Sequence, residues 1–458
     1  MMGLAMHQKA HCTFSTKPLP GRALAQAQWS TLLMPRQPAA TTRPAIVTTS
    51  TAARGKPLRA AATSAPPTVA PSTTTPKQLG YHMPGEFEKH QHCWMGWPDS
   101  PYLWRENAKP AQEQYAAVAR AISQFEPLIM LTNPESVETA KSMLADAPNV
   151  TVVPVPINDG WARDWGPSCI VLDDKKTGSR KMAGTHWDFN SYGGELKKAM
   201  GIAPQVPNWD KDNAAGRAAL QLAGLEVFES ALHLEGGSIH VDGEGTLIAT
   251  EETLLHPSRN PHLTREQIED ELKEFLGLEK VVWLWKGMAG DDAVVNGHVD
   301  NLACFIRPGV VALSWCDDVN DPQYERSTDA YERLTSATDA KGRKIEVIKV
   351  PCPPPLFRTY KEASGVHPDH VKLGYVPRVE GERLPASYIN HYIANGGAVI
   401  PQFGGPGLER ATETDAKALE VLQAAYGPER KVVGVKSREI LLNAGNIHCI
   451  TQQCPAAS

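Results

Sequence analysis

From residue 79 to residue 454, short apolar runs bounded by turn residues alternate with stretches of helical period, and no long linker interrupts them. That alternation limits the fold more than any other feature. Residues 127–131 and 150–153 read as short buried strands. Residues 109–125 and 134–144 read as helices, the first with Ala116, Val118, Ala119, Ala121 and Ile122 as its apolar positions. The clearest helix is 264–276, where Thr264 can cap, Gln267 completes a capping box and Gly277 ends the run. Strands are expected at 281–284, 304–306, 310–315, 398–400 and 432–435, and helices at 324–338 and 411–426. Residues 234–243 read as strand, tight turn and strand, and 246–250 as the partner in a hairpin around Asp242-Gly243. Turn signals every ten to fifteen residues make this an α/β chain. Units resembling ββαβ recur from end to end without a close sequence repeat, and residues 77–458 read as a single domain.

The leader differs. Residues 1–76 contain no Asp or Glu, eight Lys or Arg, and 18 Ser or Thr. That composition matches an organellar transit peptide and lacks the compact apolar core of a secretory signal. Thr and Pro dominate and Arg-rich helical periodicity is weak, so a plastid is expected before a mitochondrion. The alternative is a disordered tail without an address, on a cytoplasmic protein. Of the 46 basic residues in the chain, 38 lie beyond the leader against 51 acidic ones, a net charge of −13. Such a field disfavours nucleic acid and anionic membranes and favours a small cationic partner, although an acidic surface also simply aids solubility. No run approaches the roughly 18–20 consecutive apolar residues needed to span a bilayer. The eight cysteines lack paired spacing, so neither a disulfide frame nor a zinc site is suggested, and a reduced compartment fits. The oligomeric state is not legible; a homodimer is one option.

Chemistry concentrates in the loops. Residues 443–453 place Cys449 after the small-residue turn of Gly445 and Asn446, where backbone amides could face a developing charge. A lone cysteine is more often a small apolar filler. His298, in a glycine-preceded loop, could be the base that activates it, or could serve a structural hydrogen bond or a metal pair with Asp300. Asp164, Glu235 and Asp300 each sit near glycine or aromatics at an apparent strand end. Singly, such acids are usually caps or ion pairs. Together with a cysteine and a histidine they suggest a pocket for a planar cation, with guanidinium first because its fork of donors pairs two carboxylates. Trp161 would add a cation–π face.

Four blocks carry a resemblance to a known family. They are Asn158-Asp159-x-Trp161-x-Arg163-Asp164-x-Gly166-Pro167, Leu234-Glu235-Gly236-Gly237, Asn296-Gly297-His298-Val299-Asp300-Asn301 and Gly445-Asn446-Ile447-His448-Cys449-Ile450-Thr451-Gln452-Gln453. Tyr81-x-Met83-Pro84, Cys93-Trp94-Met95-Gly96-Trp97-Pro98 and Tyr392-Ile393-Ala394-Asn395-Gly396-Gly397 add to it. From about residue 79 to 455 the chain resembles the agmatine deiminases of the guanidino-group-modifying (pentein) superfamily. The resemblance implies a five-bladed pseudosymmetric α/β propeller of ββαβ units. It implies Cys449 as nucleophile, His298 as general acid/base, Glu235 orienting His298, and Asp164 and Asp300 binding guanidinium. It calls for no metal or organic cofactor. Two places depart from the family pattern: Trp165 stands where a small residue is usual, and residues 291–295 form a longer, apolar loop. Through Asp292 that loop could reach the far end of the substrate. The competing readings are deimination of arginine, an amide hydrolase or amidotransferase with the same Cys-His pair, and a polyamine-binding protein. A peptidyl-arginine deiminase is disfavoured because no added binding modules are evident.

Overall fold

One connection, two antiparallel strands and then a helix returning the chain to a third strand parallel to the second, organises the computed structural model. The model describes residues 74–292 and 294–457. The leader expected over 1–76 therefore lies, but for its last three residues, outside the described residues. Strand β1 (His90–Gly96) is followed by helix α1 (Lys109–Ile122) and the parallel β2 (Leu128–Thr132), then by α2 (Val137–Met143) and the parallel β3 (Val150–Pro154). The second sheet holds β4 (Ser168–Asp173), β5 (Arg180–Asp188), helix α3 (Asp210–Leu222) and β6 (Glu226–His233). The third holds β7 (Ile239–Val241), β8 (Thr246–Thr250), α4 (Arg265–Leu276) and β9 (Lys280–Leu284). The fourth holds β10 (Ala303–Arg307), β11 (Val310–Trp315), α5 (Pro322–Ser336) and β12 (Glu346–Pro351). A small hairpin, β13 (Leu356–Phe357) with β14 (Arg383–Leu384), precedes the fifth: β15 (Tyr392–Ala394), β16 (Gly397–Gln402), α6 (Glu409–Tyr426) and β17 (Lys431–Lys436). The last strand, β18 (Thr451–Pro455), runs antiparallel to β1 with Thr451 opposite Met95. It supplies the first sheet with the antiparallel partner that each of the others makes locally.

Local chemistry explains these elements. Helix α4 has its expected capping box at Thr264 and Gln267, and Gly277 closes it with φ +64°. Its buried residues Ile268, Leu272 and Leu276 fall four apart, one stripe against the sheet. Burying each contributes roughly 2 kcal/mol. Helix α1 buries Tyr115, Ala116, Val118, Ala119 and Ile122 in the same way.

Strand β6 is not evident in the sequence because charged and exposed residues break its apolar run; β4, buried from Ser168 to Val171, is missed as well although its apolar run is continuous. Trp187 and Asp188 end β5, and a turn follows. The turn itself is Ser191, Tyr192 and Gly193, three consecutive residues at positive φ (53°, 59° and 86°). The strand expected from Leu234 stops at His233, since Gly236–Ser238 forms a 3-10 turn. The described residues belong to one compact unit, and none of their helices is long and apolar enough to cross a membrane.

Candidate active site

Each sheet contributes from the same place, the residues just ahead of its first antiparallel strand. Asp164 lies four positions before β4, Glu235 four before β7, and Asp300 three before β10. His298 is two residues upstream of Asp300; Asn390 and Cys449 each lie two before β15 and β18. These segments converge on one pocket, which Trp161, Asp164, Tyr192, Gln205, His298 and Cys449 line, with Val294 and Val295 as an apolar wall.

Cys449 is buried, and its Sγ lies 3.3 Å from Asp300 Oδ2. Asn390 Nδ2 donates to the sulfur at 3.1 Å, while Asn390 Oδ1 accepts from the backbone N–H groups of His448 (3.0 Å) and Cys449 (3.3 Å). Asn390 thus fixes both the sulfur and its backbone. Burial, then Asp300 and Asp164, push the thiol well above its ordinary value, so the sulfur keeps its proton beside two carboxylates.

His298 follows Asn296 and Gly297, both at positive φ (62° and 77°), a bend that turns its ring inward. Nδ1 lies 3.7 Å from Asp164 Oδ1 and Nε2 lies 3.6 Å from Glu235 Oε2. These are ion-pair distances, longer than hydrogen bonds. Burial opposes the ring's charge, but Asp164, Glu235 and Asp300 outweigh it and raise His298 to about 9. The ring is an imidazolium at neutral pH. Burial works against the Glu235 charge as well, yet Arg259 and His298 pull it down to about 2. Arg259 Nε donates to Glu235 Oε1 at 2.8 Å. Asp164 differs: burial lifts it to about 6, against the pull of His298 and with Asp300 adding to the rise. Its Oδ2 accepts from Tyr192 Oη at 2.8 Å, and its Oδ1 accepts from Gly237 N–H at 3.3 Å. Asp300 Oδ1 is buried with no hydrogen-bond partner among the described residues, an oxygen available to a ligand.

Gly237 is required for space rather than for an unusual φ. A Cβ there would stand 2.7 Å from His298 Nδ1 and 2.9 Å from both Asp164 Oδ1 and Asp300 Oδ2. Gly237→Ala should therefore lower kcat/KM by about 100-fold or more, the scale of a 1 Å misplacement in a catalytic group. A thermal melt close to wild type alongside that loss is the expected check. Gly445 plays the same part elsewhere: its missing side chain admits the Trp161 ring, which would stand 2.4 Å from a Cβ.

Cys449, His298, Asp164 and Trp161 line the pocket, Glu235 and Asp300 stand beside His298 and Cys449, and Trp161 stacks on Trp104 at 5.6 Å between ring centroids. Asp292 is the exception. Its carboxylate is half exposed, pairs with Arg326 and does not line the pocket. The 291–295 loop reaches the pocket through Val294 and Val295 instead. Trp165 is buried against Gly96, whose bare Cα leaves room for the ring. Sequence reasoning missed Asn390, Arg259, Tyr192, Gln205 and Glu86. Asn390 could have been sought two residues before the strand that begins at Tyr392, where the other sheets place theirs.

One group of three ligand-type side chains occurs among the described residues: Glu86, His240 and His448. Arg163 Nη1 donates to the same Glu86 carboxylate at 2.9 Å. A fixed positive charge already pairs with the only anionic member of the group, so the group reads as an ion-pair network.

A profile of the Porphyromonas-type peptidyl-arginine deiminases matches residues 82–455. The chain belongs to that family. Within the family it is 48% identical over 386 residues to the agmatine deiminase of Medicago truncatula, covering 83% of this chain and 98% of that protein. The solved agmatine deiminase of Enterococcus faecalis superposes with a TM-score of 0.76 at 39% identity, covering 84% of this chain and 99% of that one. The family likeness thus spans both the α/β fold and the segments that build the pocket.

Proposed function

We propose that the chain hydrolyses the guanidinium of agmatine to N-carbamoylputrescine and ammonia, a step toward putrescine. The observation that carries this reading is the setting of Cys449. Its sulfur touches one carboxylate, Asp300, whose second oxygen is unengaged, and a second carboxylate, Asp164, lines the same pocket. An amide hydrolase has no use for two carboxylates around its scissile carbon; a guanidinium does.

Charge balance supports the same mechanism. Four buried carboxylates (Glu86, Asp164, Glu235, Asp300) face four cations (Arg163, Arg259, His298, His448) through ion pairs. His240 Nδ1 accepts from Phe305 N–H at 3.2 Å and adds no charge. A guanidinium brings one positive charge, and the thiolate form of Cys449 offsets it. Substrate binding thus favours loss of the Cys449 proton to solvent and so forms the nucleophile that the empty pocket suppresses. Cys449 Sγ bonds to the guanidinium carbon while His298 gives a proton to the departing ammonia. An amidino-cysteine remains, still carrying the aminobutyl arm. His298, now neutral, takes one proton from water as the water oxygen bonds to the same carbon; the C–S bond then breaks and the oxygen's remaining proton passes to the sulfur, releasing the ureido product and restoring the Cys449 thiol.

Agmatine fits better than arginine because no Lys or Arg among the described residues lines the pocket. Arg163 is held by Glu86 and Arg259 by Glu235, so neither is free for an α-carboxylate. Gln205 is buried and lines the pocket, and neither atom of its amide has a hydrogen-bond partner among the described residues. Its oxygen is the acceptor we assign to the distal ammonium. The five sheets are read as blades of a pseudosymmetric propeller closed by β18, residues 77–458 as its one catalytic domain, and the leader as a plastid address.

Incubation with agmatine should release ammonia, and faster than with arginine. Faster release from arginine would overturn the substrate assignment, and none from either would overturn the reaction. The pH dependence follows from two groups. Asp164, near 6, must lose its proton to hold the cation, and His298, near 9, must keep its proton to supply the leaving group. kcat/KM should rise through about pH 6 and fall through about pH 9.

A further inference from the structure

Behind Cys449 lies a second histidine that the proposed reaction does not use. His448 is buried, and both ring nitrogens face carboxylates: Nδ1 lies 2.9 Å from Asp300 Oδ2, and Nε2 lies 3.0 and 3.1 Å from the two oxygens of Glu86. An ionised carboxylate only accepts, so both nitrogens must donate and the ring must be an imidazolium. Glu86 is fixed in turn by Arg163 Nη1 at 2.9 Å. Arg163 also binds the nucleophile's segment, through its backbone N–H to Cys449 O at 3.1 Å and its Nε to His448 O at 3.4 Å. A continuous line of contacts therefore runs from Arg163 through Glu86, His448 and Asp300 to the sulfur.

We infer that His448 and Glu86 are positioning residues, a buried relay that keeps Asp300 an anion, with one oxygen on Cys449 and the other aimed at the guanidinium. The inference rests on the deiminase reading and adds to it the means by which a fully buried aspartate stays ionised. Asp164, the other guanidinium acid, has no such support: its neighbours are Tyr192, Gly237 and His298, and it is lifted to about 6. Asp300 is held below the ordinary range; burial opposes its charge and His448 overcomes that. The charged or titratable groups facing Asp300 are His448, Cys449, His298, Asp164 and Asp291. Those facing His448 are Glu86, Arg163, Asp300, His240 and His391. Of these, His391 is lowered to about 4, by burial first, and adds no charge at neutral pH.

The test compares the pH profile of kcat/KM for the full chain with that of His448→Gln, which keeps an N–H donor and removes the charge. An acid nearby typically gains about 1–3 units when an opposite charge within hydrogen-bond reach is lost. In the variant the acid limb should move upward by about one unit or more and steepen as Asp300 joins Asp164, while the basic limb stays with His298. A uniform fall in kcat/KM with both limbs unmoved would mean that His448 only packs, and would overturn the relay. A second measurement needs no folded His448 variant. In wild-type protein labelled with 15N-histidine, the buried imidazolium rings, set apart by slow N–H exchange from the partly exposed His233, should number two at pH 8, one of them absent in His298→Asn. A single persisting imidazolium would overturn the relay. Wild-type protein that releases no ammonia from agmatine would instead sink the deiminase reading, leaving the imidazolium count to decide the relay by itself.

Discussion

Cys449→Ser is expected to lower ammonia release from agmatine by about 10,000-fold or more, the scale seen when a covalent nucleophile is removed. A hydroxyl is far harder to ionise than a thiol, and the pocket already resists a negative charge at this position through burial, Asp300 and Asp164. The substitution leaves both carboxylates, Tyr192 and His298 in place, so the guanidinium should still be held. Equilibrium dialysis with agmatine should find binding within a few-fold of wild type, judged against the modest contribution of a single neutral contact. Acid-quenched wild-type enzyme should carry a mass adduct on the peptide containing Cys449, and the variant none. Turnover by the serine variant at near wild-type rates would remove the covalent route.

His298→Asn is the second large effect, a loss of about 1,000-fold in kcat/KM, within the range for a positioned general acid. The sign of its pH signature is fixed by the surroundings. His298 carries its proton up to about pH 9, so the basic limb belongs to it and should vanish in the variant. His298 also holds Asp164 down, and without the imidazolium Asp164 should rise above about 6 and carry the acid limb with it. The optimum would broaden on its alkaline side and retreat from its acid side. The substitution also leaves Asp164 and Glu235 without the cation between them, so the melt should fall too. A variant with a wild-type basic limb would show that another group donates the proton.

The residues proposed for the chemistry stand out in the sequence because of their company. His298 directly follows Asn296-Gly297, Glu235 directly precedes Gly236-Gly237, and Cys449 lies three and four residues past Asn446 and Gly445, so each sits beside residues that allow tight bends. What stayed hidden was pairing across distance. Arg259 is one arginine in a polar stretch, and nothing local marks it as the partner of Glu235. Glu86 sits 362 positions from His448 in the chain. Tyr192 is hidden for another reason: its bond to Asp164 depends on three left-handed residues in a row that composition does not announce. Asp292 shows the reverse error. Its acidity suggested a contact for a cationic substrate, yet Arg326 on helix α5 offered a nearer partner. The strands were clear where both faces are buried, as in β8 and β11, and obscure where alternate residues are exposed, as in β6.

Strand β18 holds the sulfur's segment against β1, which was synthesised more than three hundred residues earlier. On the proposed mechanism, a nascent chain carries its acids and its imidazole long before it owns a working nucleophile. Reactive chemistry is withheld until the two extremities of the catalytic region have met, so a prematurely released fragment would be inert toward guanidines. That late, long-range closure also makes folding slow by topology, and it gives the cell a protein whose activity reports its own completion.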